Sequence, residues 1–386
     1  MKTWFRNAHR RAVIDMHVTA DDDRFLTQFD AGLYVDRLTQ CQATSVVLYA
    51  HSHVGFCYFP TEVGTMHPGL GGRNIVAEVA ELCREREIAV VAYFSLIFDT
   101  LAWRKDPDWR NVDCHGRQQG ADSRSGVCCP NAPDRDYISA LVREACEKVE
   151  FDGVRFDMTF WPGVCYCRHC ARRFAAEVGG ELPRIVDWHD ATWVSFQRKR
   201  EEWLNEFAAL LTSAVRAVQP ETTVEHQSSV YQAPWTFGVT EDLAEHGDLL
   251  QGDFYGDALQ GSFVRKLFLN LSRNLPYGFE TCVSVDLANY TALKSEDLLA
   301  AKAAAAFADG GAFVFIDSID PEGSINKAPY ERMGRVFGAM KPLEPYLVAQ
   351  ASSLHTRVMA SPPQLASIPW GRGVQSQSRC RHLTAR

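Results

Sequence analysis

The sequence lacks the features that mark membrane, nucleic-acid-binding and secreted proteins. No apolar run approaches the roughly 18 residues of a membrane span. Basic residues do not dominate: 40 Lys plus Arg face 48 Asp plus Glu, and the formal net charge of -8 argues against nucleic acid or an anionic membrane as the main partner. Residues 1–18 contain no apolar segment of the signal-peptide type, so we expect a cytoplasmic protein.

Cysteine is also scarce, whereas apolar residues are plentiful. The 12 cysteines among 386 residues fall well below the density of a disulfide scaffold. In a reducing compartment, clustered cysteines indicate a metal site more than disulfide bonds. Hydrophobic residues make up 46% of the chain and aromatic residues 11%, which is enough for a sizeable core and excludes a disordered protein.

Short apolar runs alternate with longer amphipathic segments, and this pattern predicts the fold class. Strands that alternate with helices form βαβ units and a parallel sheet. Eight such units predict an α/β protein with a (β/α)₈ TIM barrel, in which long loops (98–133 and 161–190) follow strands 3 and 4. An open doubly wound sheet is the alternative, disfavoured because no G-x-G-x-x-G motif follows the first strand. The predicted strands are 12–18, 45–53, 88–96, 153–160, 222–229, 249–255, 278–285 and 312–319.

The C-terminal segment differs from the rest of the chain. We assign residues 1–350 to the barrel and 351–386 to an irregular basic tail. No acidic residue follows Glu344, five arginines do, and hydrophobic periodicity ends near Ser352. The tail is either disordered, or the product of a lost reading frame or of a gene that lost a further domain. We assign it no function.

Polar side chains end seven of the eight predicted strands. In a TIM barrel, the inward residues at the C-terminal ends of the strands face the substrate. Asp157 is expected to point inward, because the alternate face of its strand carries Val154, Phe156 and Met158. Carboxylates in an apolar pocket cost free energy unless they are paired or used, so the constellation predicts a functional site. Its other members are Asp15, His17, His51, His53, Arg155, Glu225, Gln227, Gln251, Asp253, Tyr255, Glu280 and Asp317.

Aromatic residues accompany two of these strand ends. Phe160 and Trp161 follow Asp157 into the loop, and residues 51–60 mix histidines with aromatic side chains. Aromatic rings beside carboxylates are typical of sugar sites, where the ring stacks on the apolar face of a pyranoside. Packing at the barrel rim would produce the same pattern, so the aromatic runs favour a carbohydrate substrate without specifying a sugar.

Three cysteines, Cys165, Cys167 and Cys170, form C-x-C-x-x-C in the loop after strand 4. Three thiolates so close together can converge on one Zn²⁺, and a fourth ligand would close a tetrahedral structural site. We prefer Cys129, because the loop after strand 3 is the spatial neighbour in a barrel. A closed Cys₄ site holds loops together and has no open position for catalysis. The sequence contains no motif for an organic cofactor. The alternatives for the fourth position are Cys128, Cys114 and His169.

The run from Phe151 to Cys170 resembles the hypothetical glycosyl hydrolase barrels, which are similar to α-L-fucosidases. Residues 51–61 support the same resemblance, which extends over about residues 10–350. The cysteine loop also resembles that of the zinc-bearing β-galactosidases of glycoside hydrolase family 42. The chain departs from those enzymes in one respect, because strand 4 ends in Phe156-Asp157 where that family has Asn-Glu.

The resemblance implies an enzyme that removes a terminal sugar by the retaining mechanism with two carboxyl groups. Retaining α-L-fucosidases use an Asp at the end of strand 4 as nucleophile, which implies this role for Asp157. Glu280 is our preferred acid/base, Glu225 the second choice and Asp253 the third. A β-galactosidase-type reaction would make Asp157 the acid/base and Glu280 the nucleophile. The candidate substrate-binding residues are His17, His51, His53, Arg155, Trp161, His226, Asp253 and Tyr255.

Two other classes of function stay open at this point. Asp15-x-His17, together with His51, His53, His226 and Asp317, could supply the ligands of a metal-dependent amidohydrolase-like barrel. The chain could also be a non-catalytic sugar-binding remnant of a glycosidase. For a glycosidase and for a sugar-binding remnant alike, we expect an oligosaccharide or glycoside as the ligand, and neither nucleic acid nor a membrane as a partner. We also expect a homo-oligomer.

Overall fold

Eight parallel strands form a barrel in the computed structural model, which describes residues 1–120, 125–287 and 289–347. The predicted tail, 351–386, lies outside the described residues. Each strand of the barrel overlaps one of the eight predicted runs, so the apolar runs identified every barrel strand. In the described part of the chain, four short strands lie outside the barrel path: Phe56–Cys57, Thr65–Met66, Ser284–Asp286 and Asn289–Leu293. The barrel strands are β1 Arg10–Asp15, β2 Ser45–His51, β3 Ala89–Ser95, β4 Gly153–Asp157, β5 Thr223–His226, β6 Gln251–Asp253, β7 Gly278–Cys282 and β8 Ala312–Ser318.

The strand order is β5-β4-β3-β2-β1-β8-β7-β6, and all neighbours along this path pair in parallel. A single parallel bridge between Gln227 and Gln251 joins the two outer strands and closes the ring. The predicted TIM barrel is therefore confirmed, and the open doubly wound sheet is excluded. The C-terminal ends of all eight strands lie on one face of the barrel, and TIM barrels have their active sites at this face.

Helices follow most strands, and they begin where a polar side chain caps the first turn. Asp30, Asn74 and Ser295, for example, accept hydrogen bonds from backbone N–H groups of the helices that they precede. Between β5 and β6 the chain forms only short 3₁₀ helices, Ser229–Gln232, Trp235–Phe237 and Glu241–His246. The α-helices are α1 Ala31–Gln40, α2 Ile75–Glu85, α3 Thr100–Lys105, α4 Asp134–Lys148, α5 Arg168–Glu177, α6 Ala191–Val218, α7 Ala258–Leu271, α8 Glu296–Ala308, α9 Lys327–Met340 and α10 Glu344–Leu347.

Two apolar cores position the C-terminal face of the barrel. The larger core lies between the strands and the surrounding helices. A separate core joins the loops after β3 and β4 to α6, and it contains four cysteines together with Trp161, Trp193, Trp203, Phe174 and Phe196. The described parts of the two long loops are therefore packed at the rim of the barrel. Among the described helices, none has both the length and the apolar character that crossing a membrane requires.

Candidate active site

Asp157 lies at the C-terminal end of β4 and points into the barrel mouth. Its Oδ2 accepts a hydrogen bond from the Tyr93 hydroxyl at 2.5 Å, and its Oδ1 accepts one from the backbone N–H of Met158 at 2.9 Å. The His53 Nε2 atom is 3.8 Å from Oδ2. Burial raises the pKa of Asp157 to about 6, although the positive charge of Arg155 and the Tyr93 hydrogen bond act in the opposite direction. The carboxyl group is thus fixed in orientation and titrates close to neutrality.

Met158, the residue after Asp157, has a left-handed backbone conformation with φ of 65°. Residues other than glycine rarely adopt this conformation, and strain of this kind concentrates at functional sites. Here it turns the chain sharply out of β4 and aims the Met158 N–H at the Asp157 carboxylate. The amino-acid sequence carries no signal for this turn, since methionine does not favour it.

Two histidines predicted to bind substrate lie together beside Asp157. The rings of His17 and His53 are stacked, with centroids 3.7 Å apart, and the His53 backbone N–H donates to His17 Nδ1 at 3.0 Å. The His17 Nε2 atom is 3.6 Å from Oδ1 of Asp15, whose Oδ2 accepts a hydrogen bond from the Tyr290 hydroxyl. The ends of β1, β2 and β4 therefore form one polar wall, as expected for a site at this face.

The second and third predicted carboxyl groups lie deeper in the barrel. Arg155 donates to both oxygens of Glu280, and Gln251 donates to Glu280 Oε2 at 3.3 Å. Burial raises the pKa of Glu280 to about 7 despite the nearby Arg155. Glu225 is also buried; its carboxyl oxygens have no hydrogen-bond partner among the described residues, and the charges of Arg155 and Arg11 act on it. The direct ion-pair partner of Arg155 is thus Glu280, and its influence on Asp157 acts over a longer distance.

A cleft of about 360 Å³ opens beside Asp157 along the ends of β4, β5 and β6. One wall is aromatic, since Phe160 and Phe237 stack with their centroids 4.6 Å apart. The lining also includes Asp253, which accepts hydrogen bonds from Gln227 Nε2 at 2.9 Å and from the Tyr255 hydroxyl at 2.6 Å. The cleft therefore pairs an aromatic surface with a carboxyl group that neutral donors hold in place.

The structure corrects the expected place of Trp161. This side chain is fully buried in the second core, and its indole N–H donates to the backbone oxygen of Arg200 at 2.9 Å. The left-handed conformation at Met158 changes the course of the chain before Trp161, and the indole packs in the second core. Phe160, the neighbouring aromatic residue, lines the cleft in its place.

Two predicted substrate-binding histidines are also placed away from the cleft. His51 is fully buried, with Nδ1 3.0 Å from the Ser95 backbone oxygen and Nε2 3.3 Å from Asp99 Oδ2. His226 lies between the hydroxyl groups of Thr159 and Thr212, at 3.0 and 3.1 Å, and burial lowers its pKa to about 3. Since Glu225 faces the barrel interior, the next residue of β5 faces the helices. Both histidines are corrections to the predicted site.

Several residues that build the site are not among those predicted. Tyr93 contacts Asp157 directly, Tyr290 contacts Asp15, and Phe237 forms part of the cleft wall. A signal existed for Tyr93, because it alternates with Ser95 on the inward face of β3. Tyr290 lies in the short strand Asn289–Leu293 and Phe237 in the 3₁₀ helix Trp235–Phe237, and the alternation of the barrel strands gives no indication of either.

Four buried cysteines come together at the second core: Cys129, Cys165, Cys167 and Cys170, whose sulfur atoms all lie within 4.8 Å of one another. The Cys129 sulfur is 3.5 Å from that of Cys167 and 3.6 Å from that of Cys170. Tetrahedral zinc with Zn–S bonds of about 2.3 Å requires sulfur separations near 3.8 Å, so the cluster fits such an ion. The predicted set of four is the observed one, and Cys128, Cys114 and His169 do not belong to it.

This cysteine cluster is the only group of three or more His, Cys, Asp or Glu residues in the described part of the chain that is arranged to hold a metal. The ligands suggested for an amidohydrolase-like centre, Asp15, His17, His51, His53, His226 and Asp317, do not form such a group among the described residues. The geometry therefore argues against a catalytic metal built from those histidines.

Known proteins resemble this chain in sequence over part of its length and in the fold of the barrel. Residues 30–158 match the family described as hypothetical glycosyl hydrolase 6. No curated protein matches the chain in sequence. The structure is similar to α-L-fucosidase isoenzyme 2 from Paenibacillus thiaminolyticus (TM-score 0.72, 20% identity), and the alignment covers 88% of this chain and 50% of that one.

Two further solved structures share the barrel. β-Galactosidase from Bacillus circulans sp. alkalophilus aligns with a TM-score of 0.63 and 14% identity over 83% of this chain and 55% of that one. The PgaB (BpsB) glycoside hydrolase domain from Bordetella bronchiseptica aligns with a TM-score of 0.62 and 14% identity, and the alignment covers 90% of this chain and 99% of that one. The chain thus spans about half the length of the fucosidase and the β-galactosidase. The match over residues 30–158 confirms the resemblance to the hypothetical glycosyl hydrolases, and the solved structures confirm the barrel fold.

Proposed function

We propose that the protein hydrolyses a terminal sugar from a glycoside by the retaining mechanism, with a preference similar to that of α-L-fucosidases. The observation that carries this proposal is the Asp157 carboxyl, which Tyr93 and the strained Met158 hold at the end of β4 beside an aromatic cleft. In this mechanism Asp157 attacks the anomeric carbon and forms a glycosyl-enzyme intermediate, which water then hydrolyses. His17 and His53 would bind hydroxyl groups of the sugar.

The second carboxyl group must donate a proton to the leaving oxygen and later accept one from water. A pKa of about 7 suits Glu280 for this task, but Glu280 is only 2% exposed and Arg155 occupies both of its oxygens. Asp253 lines the cleft and accepts hydrogen bonds from two neutral groups, the Gln227 amide and the Tyr255 hydroxyl. Access to substrate therefore favours Asp253 as acid/base. The same burial disfavours Glu280 as the nucleophile of a β-galactosidase-type reaction.

The cysteine cluster is proposed to bind one structural Zn²⁺. Four thiolates complete a tetrahedral shell, which leaves no position for substrate or water. Bound zinc would thus supply no chemistry to the reaction. It would join the loop after β3, through Cys129, to the loop after β4, through the other three cysteines.

The test is hydrolysis of 4-nitrophenyl α-L-fucoside and 4-nitrophenyl β-D-galactoside by the purified protein, by the Gly variants of Asp157, Asp253 and Glu280, and by one control variant. Asp157→Gly should lose turnover and, with added azide, yield a glycosyl azide of inverted anomeric configuration. Asp253→Gly should instead yield a glycosyl azide of retained configuration. Asp297→Asn, at the exposed start of α8, is the matched control and should retain full activity.

Three results would overturn parts of the proposal. Wild-type turnover that survives in Asp157→Gly would remove the nucleophile assignment. Azide products of retained configuration from Glu280→Gly, and not from Asp253→Gly, would return the acid/base role to Glu280. Sugar binding by the wild-type protein without any turnover would identify a non-catalytic sugar-binding barrel.

A further inference from the structure

The two stacked histidines of the site, His17 and His53, carry their ring protons on different nitrogen atoms. The backbone N–H of His53 donates to His17 Nδ1 at 3.0 Å. Because a backbone amide can only donate, this nitrogen is unprotonated, and the neutral His17 ring carries its proton on Nε2. His17 Nε2 lies 3.4 Å from the Tyr49 hydroxyl and 3.6 Å from Asp15 Oδ1. His17 is therefore a hydrogen-bond donor at Nε2.

Ser95, the last residue of β3, fixes the opposite arrangement in His53. The Ser95 hydroxyl donates to the backbone oxygen of Phe98 at 2.6 Å. Since this bond uses the single hydroxyl proton, the Ser95 oxygen can only accept from His53 Nδ1, which lies 2.5 Å away. A neutral His53 ring therefore has its proton on Nδ1 and its lone pair on Nε2. That Nε2 atom is 3.8 Å from Asp157 Oδ2, so the lone pair is on the nitrogen beside the proposed nucleophile.

The barrel holds Ser95 and Asp157 at one level, because they are paired residues on the neighbouring strands β3 and β4. The His53 ring is fixed by two other rings. It stacks on His17 with centroids 3.7 Å apart, and it meets Phe98 edge-to-face at 5.3 Å. Ser95 is fully buried, which keeps solvent from replacing its hydroxyl as the partner of His53. The protein itself thus determines which ring nitrogen of His53 carries the proton.

The position of this proton affects how His53 interacts with the sugar hydroxyl next to the reacting carbon. In retaining hydrolysis, positive charge develops on the anomeric carbon, and hydrogen bonds to the neighbouring 2-hydroxyl strengthen in the transition state. The growing charge makes this hydroxyl a stronger donor, so an acceptor beside it stabilises the transition state more than the ground state. An unprotonated Nε2 is such an acceptor, whereas a protonated Nε2 would offer a second donor.

We propose that Ser95 is a positioning residue, which keeps the His53 proton on Nδ1 so that Nε2 accepts a hydrogen bond from the hydroxyl adjacent to the carbon that Asp157 attacks. This inference rests on the proposed glycosidase function and makes it more specific. It assigns the substrate to glycosides with a free hydroxyl group at the 2-position. A 2-deoxy sugar lacks this donor and would not use His53 Nε2.

Kinetics with two aryl glycosides test the role of Ser95. 4-Nitrophenyl α-L-fucoside has the 2-hydroxyl, and its 2-deoxy analogue lacks it. Ser95→Ala should lower kcat/KM about tenfold for the fucoside and less than about twofold for the 2-deoxy analogue, because only the fucoside donates to His53. Ser95→Thr retains the hydroxyl and should restore most of the loss. Ser139→Ala, at a buried serine of α4, is the matched control and should change neither value.

The ring protons can be located without any turnover. The ¹⁵N chemical shifts of labelled histidine distinguish protonated from unprotonated ring nitrogens, and the signals missing from His53→Gln identify His53. At pH 8, where an ordinary histidine is neutral, we expect a proton on Nδ1 and none on Nε2. Free L-fucose should move the Nε2 signal, and 2-deoxy-L-fucose should move it much less. In Ser95→Ala the proton should shift at least partly to Nε2.

These results separate failure of the inference from failure of the proposed function. A wild-type His53 protonated on Nε2, or an Nε2 signal that L-fucose moves no more than 2-deoxy-L-fucose does, would overturn the inference. Equal kinetic losses for the two glycosides in Ser95→Ala would overturn it too, because they indicate a purely structural role. If the Nε2 signal responds selectively to L-fucose but the wild-type protein hydrolyses no glycoside, the proposed function fails, and the role of Ser95 and His53 is supported in a sugar-binding barrel.

Discussion

Substitution of Arg155 by methionine should destabilise the barrel, and the loss should depend on pH. Arg155 is 3% exposed, pairs with Glu280, and also acts on the charges of Glu225 and Asp157. Breaking a buried ion pair on one side costs about 3–5 kcal/mol, because the remaining charge stays buried without compensation. We therefore expect a loss of about this size in the free energy of unfolding at pH 8, where Glu280 with its pKa of about 7 is ionised in the wild-type protein.

The sign of the pH dependence follows from linkage. The folded-state pKa of Glu280 lies above its ordinary value of 4.5, so the folded protein binds this proton more tightly and its stability falls as pH rises from about 4.5 to 7. Loss of Arg155 raises that pKa further and extends the fall beyond pH 7. At pH 5 the carboxyl is protonated in both proteins, and the difference between them should be small.

Urea unfolding at pH 5 and pH 8 measures both effects. The matched control is Arg216→Met, because Arg216 pairs with Asp248 at 3.0 Å but is 46% exposed; it should lose at most about 1 kcal/mol at either pH. A loss below about 1 kcal/mol for Arg155→Met at pH 8, or equal losses at the two pH values, would refute the reasoning.

Three further predictions concern the site and its support. Tyr93→Phe removes a hydrogen bond that lowers the pKa of Asp157, so the acidic limb of the kcat/KM profile, expected near pH 6, should move to higher pH; an unmoved limb would contradict this role. Trp161→Ala should lower the free energy of unfolding by about 3–5 kcal/mol, whereas Phe160→Ala should mainly raise KM, as urea unfolding and steady-state kinetics can establish. Cys165→Ser should reduce the bound zinc below one equivalent and lower the thermal midpoint; an unchanged midpoint in metal-free protein would exclude a bracing role.

The sequence predicted those features that depend on side-chain alternation and on spacing. Alternation along β4 placed Asp157 inward, because the other face of the strand is apolar, and the apolar runs located all eight strands. The spacing of three cysteines, combined with barrel adjacency, identified Cys129 as their neighbour. These inferences succeed because a strand has a period of two and a barrel has a fixed neighbour order.

Depth inside the barrel and the course of the loops were not predictable in this way. Arg155, which pairs with Glu280, precedes Asp157 by two residues, so Glu280 lies below the level of Asp157. The depth of a residue in the barrel depends on the stagger between neighbouring strands, and the sequence of one strand does not specify that stagger. His51 follows a register shift between β2 and β3, and Trp161 follows the turn at Met158. At both points the alternation of the strand no longer applies.

The closure of the barrel between β5 and β6 has a consequence for the evolution of the cleft above it. One bridge, Gln227 to Gln251, holds this seam, and the intervening chain contains short 3₁₀ helices where other connections have an α-helix. The cleft is lined by residues from both sides of this seam. Insertions or substitutions in the segment 228–250 can therefore reshape the cleft while the remaining strand ladders and the wall formed by β1, β2 and β4 keep their geometry. The segment that shapes the cleft, 228–250, is thus separate from the strands that position Asp157.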